Sequence, residues 1–397
     1  SRNNNERVPD IDVNGNVSSD LVENTDFMYA SGAFVGRSEE NYLDITFLRQ
    51  MAAIDLTLNT RGVFGGITDQ SSFTIGIGNT SSFTTLIQTG TFNIFEGTFH
   101  NLRSAKALQA INMTAVDKRW ENAEKTGRFF TANTAAKIAA NSLSIRLNTL
   151  SIVLDDKSVR TFSANTVVPI AHSTPLNLTK GTLSRTGLRL IESGITVDGL
   201  VWARTNMIYD NNKLYGSIYS QGNSDAYRFR PNNNYAYADV AQEYWNFAST
   251  TPTGTDYQSL DPCSRVFPEG TWRLPQEQNN PKEITLLSRN TKRTTSITKV
   301  SDGFRYSMIW PGTQATNPAY PDKDLILSAY GYRDSKGVVQ QIPSNGKVKA
   351  GNLIYRSNAF VVGSKTTHTF FLEILGDKFG KHRLPEGPTV KGFLFDA

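Results

Sequence analysis

Hydrophobic and polar residues alternate along much of this chain with a period of two. Between residues 42 and 48, Tyr42, Asp44, Thr46 and Leu48 share one face of an extended segment, and Leu43, Ile45 and Phe47 share the other. After a phase shift near Arg49, Ile54, Leu56 and Leu58 alternate with Asp55 and Thr57. Successive side chains of a strand point to opposite faces, so the spacing predicts half-buried strands and the shift predicts a bulge or a break. Comparable runs occupy residues 73–77, 83–95, 151–154, 159–162 and 166–170. Residues 155–158 read as a hairpin turn, and Pro169, which has no N–H to donate, places its strand at a sheet edge. The alanine-rich stretch 134–143 is the best helix former in the chain and predicts one helical insertion. Residues 26–195 therefore read as an all-β sandwich.

The pattern changes between residues 175 and 200. A strand-like run at 188–191 leads into a turn-rich joint at 194–199, which predicts a domain boundary near residue 195. Beyond it, tryptophans become frequent (Trp202, Trp245, Trp272 and Trp310) and the loops lengthen. Strands are predicted at 304–310, 325–328, 352–355, 369–374 and 392–395. Residues 196–397 thus read as a second domain, β-rich or α+β, and residues 1–25, rich in Asn, Asp and Gly, as a flexible arm with little to bury.

Composition narrows the class. Apolar residues make up 38% and aromatics 11% of the 397 residues, which excludes wholesale disorder. Charged residues are only 19% and the net charge of +5 is dilute over this length, so nucleic acid is not an expected partner. The single cysteine, Cys263, forms no disulfide within the chain and supplies no cysteine-based metal site. His100, His172, His368 and His382 show no ligand spacing, so no metal and no cofactor is expected. No run of 18 apolar residues exists, so no membrane span is expected. The first residues lack the apolar core of a signal peptide; either the protein is cytosolic or its export signal has been removed.

Motifs with catalytic mechanics are missing: there is no P-loop, no G-x-S-x-G, no H-E-x-x-H and no dinucleotide fingerprint. No catalytic residue is assigned, and the chain is not expected to be an enzyme. Gly76 and Gly78 read as turn residues. The acidic pairs Asp155/Asp156 and Asp322/Asp324 read as solvated turns, with calcium ligation or acid–base chemistry as the alternatives. Cys263 has no neighbouring base and reads as a buried thiol. The most distinctive segment is Gly270-Thr-Trp-Arg-Leu-Pro275. An extended chain there sends Trp272 and Leu274 to one side and Arg273 to the other. Pro275 ends any ladder and suits a helix start at 276–279. The segment reads as a corner that packs Trp272 into the core.

Two family resemblances follow from particular residues. Asp26-Phe-Met-Tyr-Ala-Ser-Gly32, and the arginine-led Met-Ala-x-Ile-x-Leu strand within residues 43–58, make residues 25–190 resemble the Bacteroidales fimbrillin superfamily of surface pilins. Gly199-Leu-Val-Trp-Ala-Arg-Thr-Asn206, Tyr227-Arg-Phe229, Tyr244-Trp245, Asp261-Pro-Cys263, Gly270-Thr-Trp-Arg-Leu-Pro275 and Ala329-Tyr-Gly-Tyr-Arg333 make the second half resemble the FISUMP-type paralogous domain, a C-type-lectin-like module. Trp202, Trp245, Cys263, Trp272, Arg273 and Pro275 are its signature positions. Tyr355-Arg-Ser-Asn358 departs from that family's usual aromatic-Trp-Ser-Ser, a second cysteine near the C-terminus is missing, and so are the sugar-binding signatures of calcium-dependent lectins.

The resemblances imply a transthyretin-like β-sandwich of fimbrillin type followed by a lectin-like domain, in an accessory (tip or adaptor) subunit of a bacterial surface fimbria. Its partners would be other fimbrial subunits of shaft and tip, and a host or bacterial surface ligand. Export would run through the outer membrane to the cell surface. Processing by an arginine-specific protease would fall at Arg2, Arg7, Arg37 or Arg49. Subunits would join by donor-strand exchange, in which ladder bonds give affinity and side-chain pockets give register. Residues 389–397 read as the last strand of the second domain, which implies a subunit that receives a strand without donating one; the other reading is a C-terminal strand that detaches in assembly. The alternative is a surface glycan-binding protein with an aromatic platform at Tyr235, Tyr237 or Tyr330. Kinship to formylglycine-generating enzymes would need a copper-binding cysteine pair, and the chain holds Cys263 alone.

Overall fold

The computed structural model describes residues 10–17, 25–36, 42–117, 123–154, 157–192, 194–209, 226–232, 261–275, 283–300, 303–312 and 323–328, together with the strand segments 332–333, 339–340, 355–356, 370–375 and 378–383. The protein is mainly β, and its contacts divide it into two compact units. The first unit comprises residues 1–60, 65–153 and 159–190. The second comprises residues 191–397 with two short excursions, 61–64 and 154–158.

In chain order, the strands of the first unit begin with β1 (Asn16–Val17), β2 (Met28–Tyr29), β3 (Leu48–Arg49), β4 (Ala52–Gly62), β5 (Gly65–Ile67), β6 (Ser72–Ile77) and β7 (Thr84–Thr85). They continue with β8 (Gln88–Asn93), β9 (Thr98–Ser104), β10 (Leu108–Gln109), β11 (Thr114–Asp117), β12 (Glu124–Thr131) and β13 (Lys137–Ile138). The last are β14 (Leu143–Leu154), β15 (Val159–Phe162), β16 (Thr166–Pro169), β17 (Leu176–Asn177) and β18 (Leu183–Ile191). One main sheet runs β10-β6-β14-β15, with β5 and β16 also on β14 and β7 on β6; the other runs β11-β12-β4-β18. The two sheets pack as a sandwich. Across the core between them, Lys125 Nζ on β12 donates to Ala110 O just beyond β10, and Thr131 Oγ1 donates to Leu86 O just beyond β7.

The alternation predicted for β4 is present: Ile54, Leu56 and Leu58 are buried and Asp55 and Thr57 are half-buried. On its outer face Asp55 accepts from Arg128 Nε at 2.6 Å and Nη2 at 2.9 Å, and Thr57 meets Thr126 at 2.8 Å, cross-strand pairs of modest worth. The 155–158 hairpin is present as the β14–β15 pair, and β16 pairs only with β14 and so forms an edge. β14 also carries a phase change. Leu143, Ile145 and Leu147 face inward, a register shift follows between Leu147 and Thr149, and then Leu150, Ile152 and Leu154 are buried. The extra residue of a bulge moves the apolar set from odd to even positions.

Three expectations are corrected. Residues 134–143 are not helical: Lys137–Ile138 pairs with Leu176–Asn177, Asn141 turns at φ 57°, and Leu143 starts β14. A ten-residue helix is marginal on its own, and burial of Ile138 within sheet structure outweighs alanine propensity. Residues 42–47 form no ladder: pairing begins only at Leu48–Arg49, against Met28–Tyr29. The phase shift at Arg49 is therefore a break, through Gln50 and Met51 into β4. Residues 10–17 are not a loose arm, because Val17 is only 1% exposed and pairs with Phe92, while Asn16 pairs with Asn93. Asp12 Oδ1 accepts from the N–H groups of Asn14 and Asn16 at 2.8 Å each, and Gly15 takes φ 78°, a turn that a Cβ would strain.

The second unit begins with a tight hairpin of β19 (Ile195–Val197) and β20 (Leu200–Trp202), so the predicted turn-rich joint contains a strand. Asp198 and Gly199 both have positive φ, 50° and 80°, the I′-type combination that matches strand twist. β21 (Met207–Tyr209) pairs with β22 (Tyr227–Phe229), and a 3₁₀ turn spans Pro262–Arg265. The helix α1 (Glu283–Arg289) starts with an acid and ends with a base, as its dipole favours. β23 (Thr294–Val300), β24 (Gly303–Pro311) and β25 (Asp324–Ser328) form a meander. The remaining strands are β26 (Tyr332–Arg333) with β27 (Val339–Gln340), and β28 (Tyr355–Arg356), β29 (Phe370–Leu375) and β30 (Lys378–Arg383) in one sheet. Trp310 on β24 is fully buried and its Nε1 donates to Leu287 O on α1 at 3.0 Å, tying helix to meander. Of the predicted strand at 352–355 only Tyr355 falls among the described residues, where it opens β28, and the one at 392–395 lies outside them.

Candidate functional site

Two regions gather the residues singled out in the sequence. The first lies ahead of β4. Phe27, Tyr29 and Phe99 pack their rings on Phe92 with centroids 4.7, 5.1 and 5.0 Å away, and Val17 joins this small core. Gln50 N–H donates to Phe27 O at 2.9 Å, and Lys180 Nζ donates to Gln50 Oε1 at 2.8 Å. Arg49 is half-exposed and pairs with Asp26 at 2.9 Å. The residues just before it are unlike the rest of the unit. Tyr42, Leu43, Ile45 and Phe47 are 88, 60, 55 and 60% exposed, although they alternate as a strand does. Exposed apolar residues scattered singly need no explanation, whereas a contiguous run of this kind outside any described ladder is a candidate interaction site.

Of the candidate processing arginines, Arg49 is in place within β3, and Arg2, Arg7 and Arg37 lie outside the described residues. Trp245, the platform residues Tyr235, Tyr237 and Tyr330, and the C-terminal segment 384–397 also lie outside them.

The second region is the corner at Trp272. Asp261 builds it: Oδ1 accepts from Cys263 N–H at 2.9 Å and Oδ2 accepts from Leu274 N–H at 2.7 Å. One carboxylate thus ties the 3₁₀ turn to the chain at Leu274, thirteen residues after Asp261, which helps fix the direction of the side chains there. Trp272 turns inward and meets Phe229 edge-on at 5.0 Å, as the alternation predicted. Its indole N–H is buried without an acceptor. Arg273 turns the other way and grips Glu283 of α1 with both ends of its fork, 2.6 and 2.8 Å. The proposed helix start at 276–279 lies outside the described residues; the described helix begins at Glu283. Cys263 is a buried free thiol.

A cavity of about 390 Å³ opens beside this corner. Trp202, Trp272, Leu200, Val201, Ile191 and Pro275 supply its apolar wall, and Thr271, Arg273, Glu283 and Glu192 its polar one. Glu192 is fully buried and Arg204 nearly so; Arg204 Nε lies 3.1 Å from Glu192 Oε1, an ion-pair distance without hydrogen-bond alignment, and its Nη1 donates to Pro231 O at 2.7 Å. Among the described residues no group of three or more His, Cys, Asp or Glu could hold a metal, and no helix is long and apolar enough to cross a membrane. No signal in the sequence marked Glu192 or Glu283, whose partners stand 12 and 10 residues away (Arg204 and Arg273). Asp261 carried a faint one, an acid just before a proline-led turn.

Burial pushes the Asp261 carboxyl above the ordinary value of 3.8, and the Leu274 and Cys263 N–H groups pull only part of the way back. The folded protein therefore binds this proton at a pH where the unfolded chain has released it. The contribution of Asp261 to stability is greatest below the unfolded value and falls as pH rises through the folded one. Asp261→Asn keeps one acceptor for two N–H donors and is expected to cost about 1–3 kcal/mol at neutral pH. Urea unfolding should show the gap between native and variant protein widening as the pH is lowered toward 4; a gap independent of pH would contradict the account.

No family model matches the chain, and no curated protein matches it. What stands is the structural class: a mainly β protein of two compact units, one a sandwich with an exposed segment bearing Leu43, Ile45 and Phe47 ahead of its first long strand, the other built around a tryptophan corner with an adjoining cavity.

Proposed function

We propose that this chain is a non-enzymatic, accessory subunit (tip or adaptor) of a bacterial surface fimbria, joined to its neighbours by strand exchange and supporting adhesion. The observation that carries the reading is the run from Leu43 to Phe47: Leu43, Ile45 and Phe47 are exposed, alternate with Asp44 and Thr46, and lie outside any described ladder, which begins only at Leu48. A strand added from a neighbouring subunit would give that run a ladder and cover Leu43, Ile45 and Phe47, and alternate side chains would then set the register. The likeness of residues 25–190 to fimbrillins supports the same reading, and the joining of that unit to a module of another kind supports an accessory position. A cut at Arg37 would leave the run as a new N-terminus, whereas a cut at Arg49 would remove it. The mass of the N-terminal peptide from assembled filaments separates the two.

The test is a binding assay with isolated shaft subunits, read by size-exclusion chromatography. Deleting residues 1–50 is expected to abolish complex formation. So is the triple change Leu43→Asp, Ile45→Asp and Phe47→Asp, which alters residues already in water and should shift stability by no more than about 0.5 kcal/mol. Unchanged binding by either variant would remove the support for strand exchange at this segment.

A further inference from the structure

The run ahead of β4 is complementary to itself. We propose that two copies of this chain pair through residues 42–48, antiparallel about a two-fold axis at Ile45, and that this dimer covers the run until a shaft subunit displaces it.

Tyr42, Leu43, Ile45, Phe47 and Leu48 are each more than half exposed. Among the described residues, the ladder that reaches this run is Leu48–Arg49 on Met28–Tyr29, and residues 42–47 have none. A segment with exposed apolar side chains outside any described ladder is open to pairing with another chain.

Register selects the partner. In an antiparallel pair, directly opposite residues lie on the same face. An axis at Ile45 sets Ile45 against Ile45 of the second copy, Leu43 against Phe47, and Tyr42 against Leu48. Asp44 then faces Thr46, whose hydroxyl donates to the carboxylate. Every apolar residue meets an apolar one, and no acid meets an acid. Moving the axis one residue earlier sets Asp44 against Asp44, like charges directly opposite. Moving it one residue later sets Asp44 against Leu48. An axis between residues puts Ile45 opposite Asp44 or Thr46 and mixes the two faces. The run thus matches a second copy of itself in one register and is mismatched in its neighbours.

Area sets the strength. The five side chains expose roughly 600 Å² on each copy, less than the ~800 Å² per partner of a standard interface, so the dimer is reversible, with a Kd on the order of 10 μM. A two-fold contact is closed, so association stops at two copies. A shaft subunit's strand needs the same run, and the dimer and the filament contact therefore exclude each other. That consequence rests on the strand exchange proposed above; the pairing itself does not.

The experiment is sedimentation equilibrium of the full chain from about 1 to about 200 μM, a range that brackets the expected Kd. The mass should rise from one chain to two and stop there. Ile45→Asp sets carboxylates face to face at the axis and should weaken pairing at least about tenfold; the side chain is already largely in water, so the variant should fold. Cysteine pairs read the register. Under oxidised glutathione, Ile45→Cys should give a disulfide-linked dimer, whereas Leu43→Cys and Phe47→Cys should cross-link only when mixed. The native Cys263 is buried and does not compete. Shaft subunits added to the dimer should dissolve it into complexes with single copies. A single-chain mass at the highest concentration, growth beyond two chains, pairing by I45D as strong as native, or self-cross-linking of L43C as fast as that of I45C each overturns the proposal. So does shaft binding that leaves the dimer intact. A dimer that forms while shaft subunits fail to bind counts against strand exchange and supports the pairing; a monomer that still binds them does the reverse.

Discussion

Replacing Glu192 with alanine is expected to destabilise the second unit by about 3–5 kcal/mol, the largest single effect foreseen for a charged residue in this protein. Glu192 is fully buried, and Arg204 opposite it is nearly so. Removing the carboxylate leaves a buried guanidinium without its opposite charge, although its Nη1 still donates to Pro231 O. The cost comes from the abandoned charge rather than from the pair itself. The double change Glu192→Met with Arg204→Met should therefore recover most of the loss, and in that background the net effect is expected near zero or slightly stabilising. Four of the five tryptophans lie beyond residue 200, so denaturant unfolding followed by tryptophan emission reads the second unit. A single variant within about 1 kcal/mol of native would show that the pair is not desolvated as its burial implies.

The second large effect belongs to the first unit. Phe92 is completely buried on β8 and touches three rings, Phe27, Tyr29 and Phe99, as well as Val17 across the β1 ladder. Phe92→Ala should cost about 3–5 kcal/mol, from lost transfer energy and the cavity left behind. It should also free the N-terminal chain, because Phe92 is the buried ring against which Val17 and Phe27 pack. Hydrogen exchange is expected to show lost protection at residues 11–17 and 27–29, while β4 and β14, held by their own ladders, keep theirs. The contrast is Phe95, three residues on and largely exposed, where alanine should change stability by no more than about 0.5 kcal/mol. Retained protection at residues 11–17 in F92A would show that the arm is held by hydrogen bonds such as those of Asp12 and Asn93 instead.

Reading and structure agree where local pattern and final burial are the same thing. β4, β6, β15, β16 and β24 lie where alternation put them, because a strand with one face in a core has to write that face into every second residue. Trp272 points inward and Arg273 outward for the same reason. Agreement fails where the deciding partner is far away in sequence. Residues 42–47 alternate as well as β4 does, yet among the described residues no strand pairs with them, and alternation by itself cannot report a missing neighbour. Residues 134–143 have the composition of a helix, but Ile138 is claimed by a strand nearly forty residues later. In β14 the phase changes at a bulge that only the opposing strand β6 defines.

By itself, then, the sequence determined that this is a mainly β protein in two parts, that its one cysteine has no disulfide partner within the chain, and that the Gly270–Pro275 segment is a corner with its tryptophan inside. Those are properties of periodicity and composition, which each short stretch carries alone. Tertiary structure decided the rest: that Val17 is core and Phe47 is surface, that Asp261 rather than Pro275 holds the corner, and that Glu192 and Glu283 meet Arg204 and Arg273 at the wall of one cavity. Each of these depends on which remote backbone supplies the missing partner, and a carboxylate's worth changes from negligible to several kcal/mol according to whether that partner shuts out water.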